Sequence, residues 1–103
     1  MSKVRTVQEE FARLTLKVEV GDSKPFTETD FNNLVHEAIR SILGSFGPDF
    51  RVSGFDEEYM KGSVIATGKD IQQIWAALSA FGMLFNRRVA FHFNALTEYV
   101  GEF

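Results

Sequence analysis

The sequence predicts an α+β fold, a ferredoxin-like (RRM-like) two-layer sandwich whose antiparallel sheet carries both helices on one face. Three observations lead there. Two segments, 27–47 and 70–82, repeat apolar residues at three- and four-residue intervals, the mark of a helix with one buried stripe. Segments 11–20 and 89–96 alternate apolar and polar residues, the mark of half-buried strands. Glycine, proline and charged breakers then cut the chain into the order strand, helix, strand, strand, helix, strand. Two strand-helix-strand crossovers of the usual right hand put both helices on the same side of one sheet.

Residues 1–10 show no period and are expected to form a flexible arm before a single domain spanning 1–103. In the first strand Ala12, Leu14, Leu16, Val18 and Val20 point one way, while Arg13, Thr15, Lys17 and Glu19 point the other. Residues 21–25 are a turn rich in breakers, closed by Pro25. In the first helix Phe31, Leu34, Val35, Ala38, Ile42 and Leu43 form the stripe. Thr27 and Asp30 are placed to satisfy its first free amides, and Gly44 to stop it.

The next strand covers 50–55, and Asp56, Glu57 and Glu58 make a hairpin tip, because like charges sit comfortably only where water reaches them. Its partner strand runs over about 60–67, weakened by Gly62 and Gly68. Asp70 is placed to cap the second helix, whose stripe is Ile71, Ile74, Trp75, Leu78 and Phe81, with Gly82 as its stop. Residues 83–88 read as a loop, apolar first and then basic. In the last strand Val89, Phe91, Phe93 and Ala95 alternate with Ala90, His92, Asn94 and Leu96, and 97–103 is a short, partly docked tail. The open face of the sheet then carries Arg13, Thr15, Lys17, His92 and Asn94.

Composition narrows the function classes. With 103 residues, 45% of them hydrophobic, the chain is long enough to bury a core without a metal or disulfide. It has no cysteine, so thiolate metal sites and thiol nucleophiles are excluded and the redox compartment stays open. Its longest apolar run is too short to span a bilayer, and residues 1–10 do not resemble a secretory signal, so no membrane association is expected. A net charge of −3 argues against a delocalised grip on nucleic acid; any RNA contact has to be local.

The chemistry-bearing residues are few. His36 and His92 are the only histidines and stand far apart, so neither a metal centre nor an acid-base pair is expected, and no cofactor either. Asp56, Glu57 and Glu58 could hold a divalent ion in principle, but adjacent acids in a turn are more often simply solvated. An RNA-recognition motif would carry rings in its two central strands. Here Lys61 and Gly62 begin that pattern, but Ser63 and Ile65 stand where the rings belong.

The cations best placed for phosphate are Lys61, Lys69, Arg87 and Arg88, the last two being the only basic doublet. Met83, Leu84 and Phe85, three large apolar residues outside a periodic element, are candidates for a protein partner, as is His92 on the open face.

Several stretches also resemble the small protein subunits of ribonuclease P and ribonuclease MRP, of the Pop-five and Rpp-fourteen type. They are the first helix ending Ile42-Leu43-Gly44 with Gly47 after it, and the strand Gly62-Ser63-Val64-Ile65. The run from Ile74 through Trp75, Ala76, Ala77, Leu78, Ser79, Ala80 and Phe81 to Gly82 adds to these, as does Arg87-Arg88 leading into Val89-Ala90-Phe91-His92. The resemblance spans about 14–96 and lies in shared order and spacing.

It implies a non-catalytic subunit of a particle whose RNA cleaves the 5′ leader of precursor tRNA, or, in the MRP form, processes ribosomal RNA precursors. Its partners would be a relative of the same fold, a larger subunit of the Rpp-thirty or Rpp-forty type and the particle RNA, and its location the nucleus and nucleolus. Family members often place a basic residue where His92 stands and some are more basic overall, which points to the Rpp-fourteen side, where protein contacts predominate. A stand-alone RNA-binding module and a ferredoxin-like regulatory or small-ligand domain are the alternatives.

Overall fold

The computed structural model describes residues 9–45, 47–81, 83–84 and 87–101, with the backbone alone at 9, 83, 84, 87 and 101. The elements are β1 (Glu9–Val20), α1 (Glu28–Leu43), β2 (Arg51–Asp56), β3 (Lys61–Thr67), α2 (Ile71–Ala80), β4 (Met83–Leu84) and β5 (Arg87–Gly101). The sheet order is β2-β3-β1-β5-β4, and every pairing is antiparallel. Without the two-residue β4, this is the expected ferredoxin-like sandwich.

The core fills the space between α1, α2 and one sheet face. Ala12, Leu14, Leu16 and Val18 from β1 meet Phe31, Leu34, Val35, Ala38 and Ile39 from α1 and Ile71, Ile74 and Leu78 from α2. The helix stripe differs from expectation at one place: Ile39 is buried and Ile42 is 50% exposed, while Leu43, four residues after Ile39, packs against the core as expected. The capping box at the start of α1 is complete. The Asp30 amide donates to Thr27 Oγ1 at 3.2 Å, and the Thr27 amide donates to Asp30 Oδ2 at 3.0 Å. Glu57 adds to it by accepting from the Glu28 amide at 3.1 Å, which sets an acid at the positive end of the helix. Thr27→Ala is therefore expected to cost about 1 kcal/mol of stability, read from the urea midpoint at unchanged slope.

Asp70 does not cap α2. Its carboxylate accepts from Thr67 Oγ1 at 2.8 Å, and its backbone is already helical, a geometry that cannot fold the side chain over the first amides. Phe81 ends this helix, and the expected stop at Gly82 lies outside the described residues.

Two bulges set what each strand presents. In β2 the pairing steps from Val52↔Val64 to Phe55↔Gly62, so β2 carries one residue more than β3 across this step, and Gly54 there has φ of +73°, a conformation that glycine adopts without strain. In β5 the pairing steps from Thr15↔Ala95 to Leu16↔Phe93, leaving Asn94 as the extra residue. The strict alternation expected for this strand therefore breaks. Leu96, opposite the buried Leu14, turns to the helix side, and Ala95, opposite Thr15, turns to the open face.

Two further expectations are corrected. Thr97 and the residues after it do not form a docked tail but continue β5 to Gly101, because β1 reaches back to Glu9 and gives them a ladder to pair with. Glu9 and Glu10 thereby belong to β1 and not to an arm; residues 1–8 lie outside the described residues. The expected loop 83–88 contains β4, since Met83 pairs with Arg88 and Leu84 with Arg87 in a short hairpin.

Gly62 does not merely weaken β3. A Cβ at that position would collide with the Phe31 ring, which lies directly over the strand.

Candidate functional site

The helices cover one face of the sheet, and the other face is left to the solvent and to its own side chains. Register fixes what stands beside what on it. One row across the strands is Asp56, Lys61, Lys17 and His92; another is Arg51, Ile65, Arg13 and Thr97; Ser63 and Thr15 lie between them, with their hydroxyls 3.1 Å apart. Arg13 donates to Ser53 Oγ at 3.3 Å. Ile65 and Ser63 are buried although they face this side. Beyond these rows Phe11 packs against Tyr99 with ring centroids 5.8 Å apart, which buries Phe11. As the sequence indicated, no ring occupies the central β3 positions.

The expected phosphate-binding residues are not brought together as a group. Lys61 opens β3 at one end of the open face, and Lys69 is exposed in the turn after Thr67, about 20 Å away along the strand. Arg88 is exposed beside the buried Val89, at the same end as Lys61, and its carbonyl accepts from the Gly21 amide at 2.8 Å. Arg87 pairs with Leu84.

His92 is exposed on the open face, and its Nε2 lies 3.1 Å from Glu19 Oε1. His36 is exposed on α1, where Nδ1 contacts the Asn32 carbonyl at 2.8 Å and the ring leans on Phe50. Met83 and Leu84 lie in β4, and Phe85 is outside the described residues. Asp56 is used locally: its Oδ1 accepts from the Glu58 and Tyr59 amides, which shapes the hairpin turn. Among the described residues no cluster of histidine, aspartate and glutamate has the form of a metal site.

The surface that sequence reasoning missed runs along the helix side of β5. Phe93 is 56% exposed, Leu96 43% and Val100 59%, and Trp75 of α2 meets the Phe93 ring edge-on at 6.2 Å. Beyond Val89 the outer edge of β5 has no strand partner among the described residues. A long strand with free backbone groups and an apolar rim is a template for another chain. The signal was the apolar content of 89–100, but its direction depended on the bulge at Asn94.

No protein-family model matches the sequence, and no curated protein does. Among solved structures, the chain is similar to one chain of the cryo-EM structure of yeast ribonuclease MRP, at 11% identity and a TM-score of 0.71, covering 90% of this chain and 77% of that one. What the two chains share at this identity is the fold, over nearly the whole described length.

Proposed function

We propose that this chain is a non-catalytic protein subunit of a ribonucleoprotein of the ribonuclease P or MRP type. The apolar rim of β5 is the observation that carries the reading: a strand edge without a partner among the described residues, with Phe93, Leu96 and Val100 exposed, suits a chain that is completed by a neighbour. The fold shared with a chain of yeast ribonuclease MRP supports it, as do the sequence stretches that resemble the small subunits of these particles. In this reading the particle RNA performs the cleavage, in tRNA 5′-leader removal or ribosomal RNA precursor processing. The chain contributes contacts to a same-fold relative, to a larger subunit of the Rpp-thirty or Rpp-forty type and to the RNA, in the nucleus and nucleolus.

Affinity purification of the tagged chain from native extract tests this. Ribonuclease P or MRP RNA and its protein subunits are expected to co-purify in fixed proportion. Recovery of a solitary chain, or cleavage of precursor tRNA by the pure chain alone, contradicts the reading. A second reading, a stand-alone RNA-binding module, is favoured by the cations of the open face; it predicts co-purifying RNA without protein partners.

A further inference from the structure

The net charge of −3 conceals a division between the two sides of the molecule. The open face presents Arg13, Lys17, Arg51 and Lys61, whereas two acids described there, Asp56 and Glu19, are engaged by the turn amides and by His92. Glu28, Glu37, Asp49 and Glu98 lie on the helix side, in turns or at the sheet edges.

Lys17 and Lys61 are directly opposite each other in the β1-β3 ladder, so their Cβ atoms stand about 5 Å apart, and no carboxylate bridges them among the described residues. Like charges in that position destabilise a sheet unless an anion lies between them. Arg51 and Arg13 flank Ile65 in a second bank, about 13 Å further along β1. Between the banks Thr15, Ser63 and Ser53 form a floor of small hydroxyls, in a shallow concavity of about 550 Å³ that Lys61 borders.

We propose that this face binds the phosphodiester backbone of an RNA strand, with Lys17 and Lys61 on one phosphate, Arg13 and Arg51 on the next but one, and the hydroxyl row against the sugars between them. The inference rests on the reading above for the choice of RNA and adds the surface and the residues. Two banks of cations separated by hydroxyls match a polymer that alternates phosphate with sugar. Phe55 and Asp56 also line the concavity; what favours RNA over an acidic protein segment is the alternation of cations with hydroxyls. With no ring in the centre of the face, contact is to the backbone and carries little base preference.

Fluorescence polarisation of labelled oligouridine with the full chain, at several KCl concentrations, tests the proposal. Lys17→Gln is expected to lower the slope of log affinity against log salt by about 0.7. Lys17→Glu with Lys61→Glu is expected to weaken binding about tenfold or more at low salt. Lys69→Glu carries half that charge change at the far end of β3 and is expected to alter binding little. All three positions are outside the core, and Lys17→Gln, which relieves the like-charge opposition, is expected to leave Tm unchanged or slightly raised.

An affinity unmoved by the double reversal, an equal loss per charge at Lys69, or stronger competition by poly-glutamate than by oligouridine overturns the proposal. These outcomes leave co-purification with the particle intact and so do not touch the assembly reading. Conversely, a chain that binds oligouridine through Lys17 and Lys61 but purifies without particle subunits keeps this surface and removes that assembly.

Discussion

Phe31→Ala is expected to destabilise the fold by about 3–5 kcal/mol, the largest effect of any single truncation in this chain. The Phe31 ring is fully buried, stacks on Phe55 with centroids 4.7 Å apart and meets Phe91 edge-on at 6.3 Å, so it joins α1 to β2 and β5 at once. Its place depends on Gly62, where any Cβ would meet the ring. Gly62→Val is accordingly expected to cost about 1–3 kcal/mol by overpacking. The pair can be tested for coupling. Phe31→Leu combined with Gly62→Ala is expected to be less damaging than the sum of the two single changes, because the smaller side chain leaves room for the added methyl group. Strict additivity in urea unfolding would mean that the ring and the glycine do not share this space.

The second large effect is on association. Phe93→Asn with Leu96→Asn is expected to weaken binding to the partner subunits by about 100-fold or more, since central apolar anchors of an interface commonly contribute 2 kcal/mol or more each. Both side chains are half exposed in the free chain, so its own stability changes little beyond the edge-on contact of Phe93 with Trp75, worth about 1 kcal/mol. The check is a pull-down of partner subunits beside a thermal melt. Lost binding with a retained melt supports the rim as an interface, and retained binding with both changes in place removes it.

How far the fold could be read from the sequence depended on whether a feature was local. The α1 stripe and its capping box are written within a few residues, because period and cap act over one or two turns, and the alternation of β1 is equally local. The end of the same stripe was not: the choice of Ile39 over Ile42 depends on what lies beneath the last turns. Asp70 had the right residue type for a cap but is held by Thr67, a tertiary choice that the letters leave open.

The functional surfaces were legible in part. Lys17 and His92 were identified on the open face of the sheet and Lys61 as a cation placed for phosphate, yet the opposition of Lys61 to Lys17, and of Arg51 to Arg13 across Ile65, follows only from strand register, which links residues far apart in the chain. One extra residue at Asn94 reverses the direction of every side chain after it, and that step moved Leu96 from the open face, where alternation placed it, to the helix side, where it joins Phe93 in the exposed apolar rim. Phe11, on the open face by alternation, is covered because β5 runs far enough to bring Tyr99 over it.

In this reading β5 and the open face of the sheet are finished by other molecules. Amide hydrogen exchange along residues 93–100, compared between the free chain and the chain in its purified assembly, addresses this most directly. Backbone amides on the unpaired edge are expected to exchange rapidly in the free chain and much more slowly once a neighbour is docked, with the core of α1 changed little. Equal exchange along β5 in both states would show that nothing covers this edge, and would contradict the account.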